Sequence, residues 1–448
     1  MAEVKEEPRI EQEITPGPSQ GTVEITDATV GEATSAEPKP KLRPLWFQRD
    51  YMLLWSGQVV SSLGSGMSGF VLPLLILAIT GSPLVAGIAG ALFSLPYPIF
   101  SLPVGALMDR WDRKKVMIIC DTIRAINIAT IPIALYFNML TIPQIYLNSF
   151  IEGSCFVFFN IAEVAALPRV VDKSQLPAAA AQNEAAFGLV GLISPSIGGV
   201  LFKSVSMLFP FIFDAISYSA SIISLSLIKT RFQTERAKRD TNLMTEIKEG
   251  LAWLWSRPLI RTMAFLTGGF NFVFSGSGLI IILLAQHKGA DAGAIGLIFS
   301  IGAIGGIVGA IFAGPIAKRL TFAQAIIGTA WIDMLLFPLI LFVPNVFLIG
   351  AINALIYAMN PIYNVVQFSY RLALIPDRLQ GRVNSAFRLI AWGSQPLGAA
   401  LAGVLLEVVG IEYSVGVFAA VLVVLGIVAA TNSHIRHAKP IEQVQAEG

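Results

Sequence analysis

The chain has 448 residues, of which 54% are hydrophobic and 13% charged, with a net charge of +2 and a mean hydropathy of +0.69. Soluble domains carry about 25% charged residues, so this is a membrane protein; the net charge says nothing about nucleic acid, and what matters is where the positive residues lie. Cys120 and Cys155 lie inside apolar runs and His287, His434 and His437 at segment ends, which excludes a disulfide framework and a histidine metal cluster.

Residues 1–43 are rich in Glu, Pro, Thr and Ser and poor in large apolar side chains, so they are predicted to form a disordered acidic tail. They lack the basic start and apolar core of a signal peptide. Twelve apolar runs follow, near 50–79, 84–107, 116–137, 142–166, 183–203, 208–228, 258–284, 293–316, 322–343, 346–369, 383–406 and 412–432. Each reaches the roughly 20 residues that span a hydrocarbon core as a helix. The expected division is 44–229 and 258–433 as two six-helix halves, 230–257 as a linker and 434–448 as a tail. Within the linker Leu243, Ile247, Leu251 and Leu254 recur at helical spacing beside Trp253 and Trp255, predicting an interfacial amphipathic helix.

Loop charges set the orientation. The connections 80–83, 138–144, 344–345 and 409–413 hold no Lys or Arg, with Lys203 and Lys288 as the exceptions on that side. The other side carries Arg110, Arg113, Lys114, Lys115, Arg169, Lys173, Lys318, Arg319, Arg371, Arg378, Arg382, Arg436 and Lys439. By the positive-inside rule both termini are cytoplasmic, in a multi-pass inner membrane protein. The sequence has no Gly-Lys pair and hence no P-loop, no His-Glu-x-x-His and no Gly-x-Ser-x-Gly. No enzyme, metal or cofactor is expected, which leaves transport without ATP hydrolysis by this chain.

Six charges crowd the eleven residues Gly105-Ala-Leu-Met-Asp109-Arg110-Trp-Asp112-Arg113-Lys114-Lys115 between the second and third runs. Gly105 would let backbones approach closely, and Asp109 and Arg113, four apart, would pair. This order resembles the loop signature of major facilitator superfamily transporters. A worn echo, Gly314-Pro-Ile-Ala-Lys318-Arg319, sits in the second half. The spacing of Asn183 to Pro195 also repeats in Asn384 to Pro396, as expected of halves related by an axis along the membrane normal. In the fifth run Gly191-Leu-Ile-Ser194-Pro195-Ser-Ile-Gly198-Gly199 resembles the helix-5 motif of the superfamily's exporters, with Ser194 where glycine is usual. With Trp55-Ser-Gly57-Gln58-Val-Val-Ser61-Ser-Leu-Gly64, these stretches place the resemblance nearest the subgroup of macrolide-efflux proteins and the enterobactin exporter.

That resemblance implies an all-α transporter of twelve transmembrane helices in two pseudo-symmetric halves around a cavity open alternately to each side. It implies proton-coupled export of an amphipathic small molecule, a drug, macrolide or siderophore-like compound, by a monomer whose partners are substrate, protons and lipid. Uptake or lipid movement on the same fold is the alternative, and a transport-dead scaffold or sensor the alternative of another class. The gating group would be Gly105, Asp109, Arg110 and Arg113, Asp109 closing the cytoplasmic side against the start of run eleven near Arg382. Asp121 and Arg124 belong with that group as a pair neutralising itself near the cytoplasmic surface. Ionisable residues inside a bilayer cost ~2.5–3.5 kcal/mol each at the helix centre on insertion scales, and so point to function. They are Glu152 and Asp333 in mid-run, Asp214, Glu163, and Arg388 as partner to a carboxylate or snorkelling. Glu152 has no basic residue within a helical turn and ranks first for proton coupling. The aromatic run Phe156-Val-Phe158-Phe159 reads as lipid-facing or core.

Overall fold

The computed structural model describes residues 44–233 and 243–438; the predicted tail 1–43, linker residues 234–242 and the end of the chain from 439 lie outside the described residues. The first half comprises α1 (Arg49–Thr80), α2 (Pro83–Ser94), α3 (Pro96–Leu107), α4 (Arg113–Tyr136), α5 (Ile142–Val170), α6 (Leu176–Ser204) and α7 (Phe209–Leu227). Then comes α8 (Leu243–Ser256). The second half comprises α9 (Pro258–His287), α10 (Ala292–Ala317), α11 (Phe322–Leu336), α12 (Val346–Leu374), α13 (Gln380–Gly393), α14 (Gln395–Val408) and α15 (Gly410–Thr431), closed by the single turn α16 (Ser433–Arg436). No strand occurs among the described residues. Twelve helical spans are long and apolar enough to cross a membrane, α2 with α3 and α13 with α14 each making one.

Local chemistry sets the boundaries. Ser82, Asp112, Thr141 and Asp291 each cap a helix by accepting an N–H three residues on, and Thr321 with Gln324 forms a reciprocal capping box. Two expected continuous runs are interrupted. The second breaks at Leu95, before Pro96, and the eleventh at Ser394, before Pro396, where proline removes a backbone donor and crowds the preceding turn. The ninth run ends as a 3-10 turn, Phe337–Leu341, because Pro338 comes two residues after the end of α11. Large apolar side chains such as Ile126, Val164, Ile311 and Val424 are exposed, as lipid-facing surfaces require.

The halves meet along two seams, α6 against α10 and α2 against α14. Small residues make both. A Cβ on Gly199 would strike the carbonyl of Ala292, and one on Gly296 the carbonyl of Pro195. Gly87 and Gly403 face each other: a Cβ on the first would lie 2.5 Å from the Cα of the second. The consecutive glycines of the helix-5 motif therefore divide their work. Gly198 packs against Met67 of α1 within its own half, and Gly199 against α10 of the other. Gly191 meets nothing within 4 Å and borders a cavity.

Both seams are fastened at the end carrying Ser82. Lys203 Nζ lies 2.5 Å from Asp291 Oδ2, joining α6 to the cap of α10. Glu407 of α14 accepts from the Ser82 hydroxyl at 2.8 Å and the Leu84 N–H at 3.2 Å, a carboxylate at the N-terminus of α2. At the opposite end, the Arg113 face, α8 docks on α13: Arg382 Nη2 lies 3.1 Å from Glu246 Oε1, and its Nη1 bonds Glu249. Arg257 and Arg261 lie over the rings of Trp253 and Trp255.

Candidate functional site

A cavity of about 610 Å³ opens in the first half, walled by α1, α2, α4, α5 and α6, within the 300–1,000 Å³ usual for small-molecule sites. Most of its lining is apolar, with polar groups gathered around Arg124. Arg124 donates from Nε to Glu152 Oε1 at 2.7 Å, and its Nη2 lies 2.5 Å from the same oxygen. Tyr218 of α7 donates its hydroxyl to that oxygen at 2.7 Å, and its ring lies 4.4 Å beneath the guanidinium. Ser65 of α1 lies 2.7 Å from the Tyr218 hydroxyl. Asp214, fully buried, accepts from Ser68 at 2.5 Å and from Ser65 and Ser217 at 3.4 Å. Asp121, equally buried, stands 4.0 Å from Arg124, with the Ser221 hydroxyl beside it. Three carboxyl groups therefore surround one guanidinium.

Glu152 divides its two oxygens unequally. Oε1 takes every bond just described, whereas Oε2 is buried without a partner. Oε2 is thus an unsatisfied acceptor on a side chain that lines the cavity, while Oε1 is bonded to Arg124 and Tyr218. Glu163 lines the same cavity beside Gln58.

Several expectations need correction. Glu152 does have a cation, on a neighbouring helix, because α4 and α5 pack side by side; inspection of its own helix cannot find it. Asp121 and Arg124 do pair, at 4.0 Å, but as buried members of a network in which Arg124 also holds Glu152, and not as a self-contained pair near the surface. Gly105 permits no close approach: a Cβ there would meet nothing within 4 Å. With the outer seams fastened, Asp109 pairs with Arg113 at 3.7 Å, and Arg382 at the start of run eleven is held by Glu246 and Glu249. Arg113 is a buried anchor, donating to the carbonyls of Ala165 at 2.7 Å, Met108 at 3.2 Å and Phe232 at 3.3 Å. Arg110 is exposed. Arg388 is exposed, with no carboxylate bonded to it among the described residues. Phe156 and Phe159 line the cavity, so that aromatic run is not confined to lipid or core.

Asp333 lies apart from the network. It borders a second cavity of about 60 Å³ between α9, α11, α12 and α15, with Asn353, Tyr357 and Asn360. Its Oδ1 is buried without a partner, and Asn353 lies beside the Tyr357 hydroxyl. Sequence reasoning missed Ser65, Ser68 and Tyr218. A signal existed, since Gln58, Ser61, Ser65 and Ser68 form one polar face of an otherwise apolar helix.

The sequence profile of the Major Facilitator Superfamily matches residues 54–390. The chain is 25% identical over 402 residues to the multidrug efflux pump Tap of Mycolicibacterium fortuitum, covering 86% of this chain and 96% of that protein. It is 23% identical over 393 residues to macrolide efflux protein A of Streptococcus pyogenes, with the same coverage of 86% and 96%. Among solved structures, a mutant of the nucleoside transporter NupG superposes with a TM-score of 0.70 at 13% identity, over 84% of this chain and 99% of that one.

Proposed function

The chain belongs to the Major Facilitator Superfamily, and from that footing we propose that it exports amphipathic small molecules in exchange for protons, by alternating access. The observation that carries this reading is the Arg124–Glu152–Tyr218 network at the wall of the large cavity, with Glu152 Oε2 free to take a proton. Two relatives along nearly the whole chain carry efflux names. In this scheme the Arg113 face is cytoplasmic, following the loop charges, and the fastened seams lie outside, so the cavity loads from within. Residues 44–229 and 258–433 rock as two bodies, joined by 230–257, and one monomer suffices. Substrate and proton compete for Glu152. Protonation at the outer side weakens its hold on substrate and on Arg124, which turns toward Asp121; deprotonation at the inner side resets the pair.

Uptake into inverted vesicles, driven by an imposed pH gradient and assayed with dyes, macrolides and siderophores, tests the function. No gradient-dependent accumulation of any of them would leave the reading without support. Orientation has its own test. In a cysteine-free background, an impermeant thiol reagent on intact cells should label Met139→Cys and spare Lys173→Cys, both at exposed positions. Labelling at 173 without permeabilisation would reverse the assignment.

The outer fastening is expected to be a latch and not the pH sensor. Asp291 lies outside the spans, and its bond to Lys203, with the Ala294 N–H, holds its carboxyl below the usual range. A depressed value means that the pair contributes at any pH above the free aspartate value of ~3.9, and is lost only as pH falls through the depressed one. Spin labels at Met139 and Phe342, exposed in opposite halves, should therefore report the same short separation at about pH 8 and about pH 5, both above that window. Lys203→Met should add a longer-separation population at both. A change between the two pH values as large as that caused by Lys203→Met would make the latch the sensor.

A further inference from the structure

We propose that the second half carries a subsite for an anionic headgroup (a carboxylate, sulfonate or phosphate) held by Arg371 and Arg388 near the Arg113 face. Along α12, Asn353, Tyr357, Asn360, Asn364, Gln367 and Arg371 follow at intervals of four, three, four, three and four, one continuous polar face on a membrane helix. Asn360 and Asn364 on this face are exposed and bond to each other at 2.7 Å. Amide groups at that depth belong beside water or a ligand and not lipid tails.

Arg371 ends the stripe. It is 5% exposed, and its guanidinium lies 3.9 Å from the ring centre of Phe387 and 5.2 Å from that of Phe368. Aromatic faces fix the orientation of a guanidinium but do not balance its charge. Its Nε is buried without a partner, and so is the Nε2 donor of Gln367 one turn away. The charged and titratable groups acting on Arg371 are Arg388, a like charge, and Tyr363; no carboxylate is among them. Nearby acids are engaged elsewhere, Glu246 and Glu249 with Arg382 and Asp377 with Gln380. Arg388 stands one helical turn from Trp392, which stacks on Tyr97 of the other half at 4.6 Å, so it looks into the cleft between the halves.

Two guanidinium groups, a buried orphan donor and no counter-charge among the described residues match the fork geometry of carboxylate or phosphate. The first-half wall has the opposite bias, three carboxyls to one arginine. An amphipathic compound with an acidic group would thus place that group on the second half. This substrate class rests on the exporter reading; a phospholipid phosphate from the adjoining leaflet would satisfy the same site.

The test is equilibrium binding to the full chain in dodecyl maltoside, an uncharged detergent, with cholate and its neutral methyl ester as probes. It needs no transport, so a failure of the exporter reading in vesicles would not affect it. Cholate should bind about tenfold or more tighter than methyl cholate, as charge-assisted hydrogen bonds imply. Arg371→Gln and Arg388→Gln should each reduce that preference and together remove it, leaving methyl cholate binding and the melting temperature as fold controls. Arg371→Lys should retain part of it. If lipid is the source, added phosphatidylglycerol will displace cholate from the unmodified protein and remain bound in native mass spectra, but not with both arginines replaced. Equal affinity for cholate and its ester with no retained phosphatidylglycerol, or a preference that survives the double replacement, would overturn the proposal.

Discussion

Replacing Arg124 with glutamine should abolish gradient-driven transport and destabilise the protein by about 3–5 kcal/mol, the usual cost of removing one partner from a buried ion pair. Arg124 is 7% exposed and is the only cation among the described residues that bonds to the network. Without it, Glu152 Oε1 keeps only the Tyr218 hydroxyl, and Asp121 loses the one cation near it. The double variant Arg124→Gln/Glu152→Gln should recover part of the stability, because both partners of the pair are then neutral, but none of the transport. Arg124→Lys should keep most of the stability and lose much of the transport, since an ammonium cannot reproduce the fork or the stacking on Tyr218. Thermal unfolding of purified protein and vesicle uptake separate the two effects. Unaltered stability in Arg124→Gln would mean that the carboxyls do not depend on the guanidinium.

Glu152→Gln should be nearly as severe for transport and mild for stability. An amide oxygen still accepts from Arg124 and Tyr218, so the local geometry survives, but the proposed proton site at Oε2 is gone. Substrate binding and substrate–substrate exchange should persist while accumulation driven by a pH gradient disappears. Glu152→Asp should retain partial coupling, its carboxylate withdrawn by one methylene. If Glu152→Gln accumulates substrate with an unchanged dependence on the gradient, coupling lies elsewhere. Asp333, with an unpartnered oxygen in its own small cavity, then becomes the next residue to replace.

Much of the fold was legible in the sequence, because twelve runs of membrane length leave few other readings of such a composition. What the runs could not report was where helices would break, and there Pro96, Pro338 and Pro396 decide. Individual network members were also legible, since Arg124, Glu152 and Asp214 each carry a charge where charge is costly. Their association was not. Arg124 is 28 residues from Glu152, Tyr218 is 66 from Glu152, and Ser65 is 149 from Asp214. Only the packing of four helices brings them together. Glu152 shows this most plainly: unpaired along its own helix, it is bonded to Arg124 across the next. Loop-centred reasoning reached the Asp109–Arg113 pair but not the carbonyls that anchor Arg113, since these lie before it, on α5 and after α7.

The meeting of Gly87 with Gly403 bears on how the halves move. Interlocked side chains must leave one set of hollows before entering the next, so sliding between them proceeds by discrete jumps over barriers. Two glycine backbones in contact have nothing to withdraw. If the halves rock as proposed, a rotation of α14 over α2 would meet no side chain at this one point, although Val85, Ala86, Ala89, Ala402 and Leu406 pack nearby. On that scheme the glycine pair would serve as a bearing, and the bonds of Glu407 and Asp291 beyond it would hold the resting angle. A bulkier residue at either glycine would then act on speed as much as on stability. It would convert a smooth roll into a notched one, slowing the exchange of states even where both remain populated.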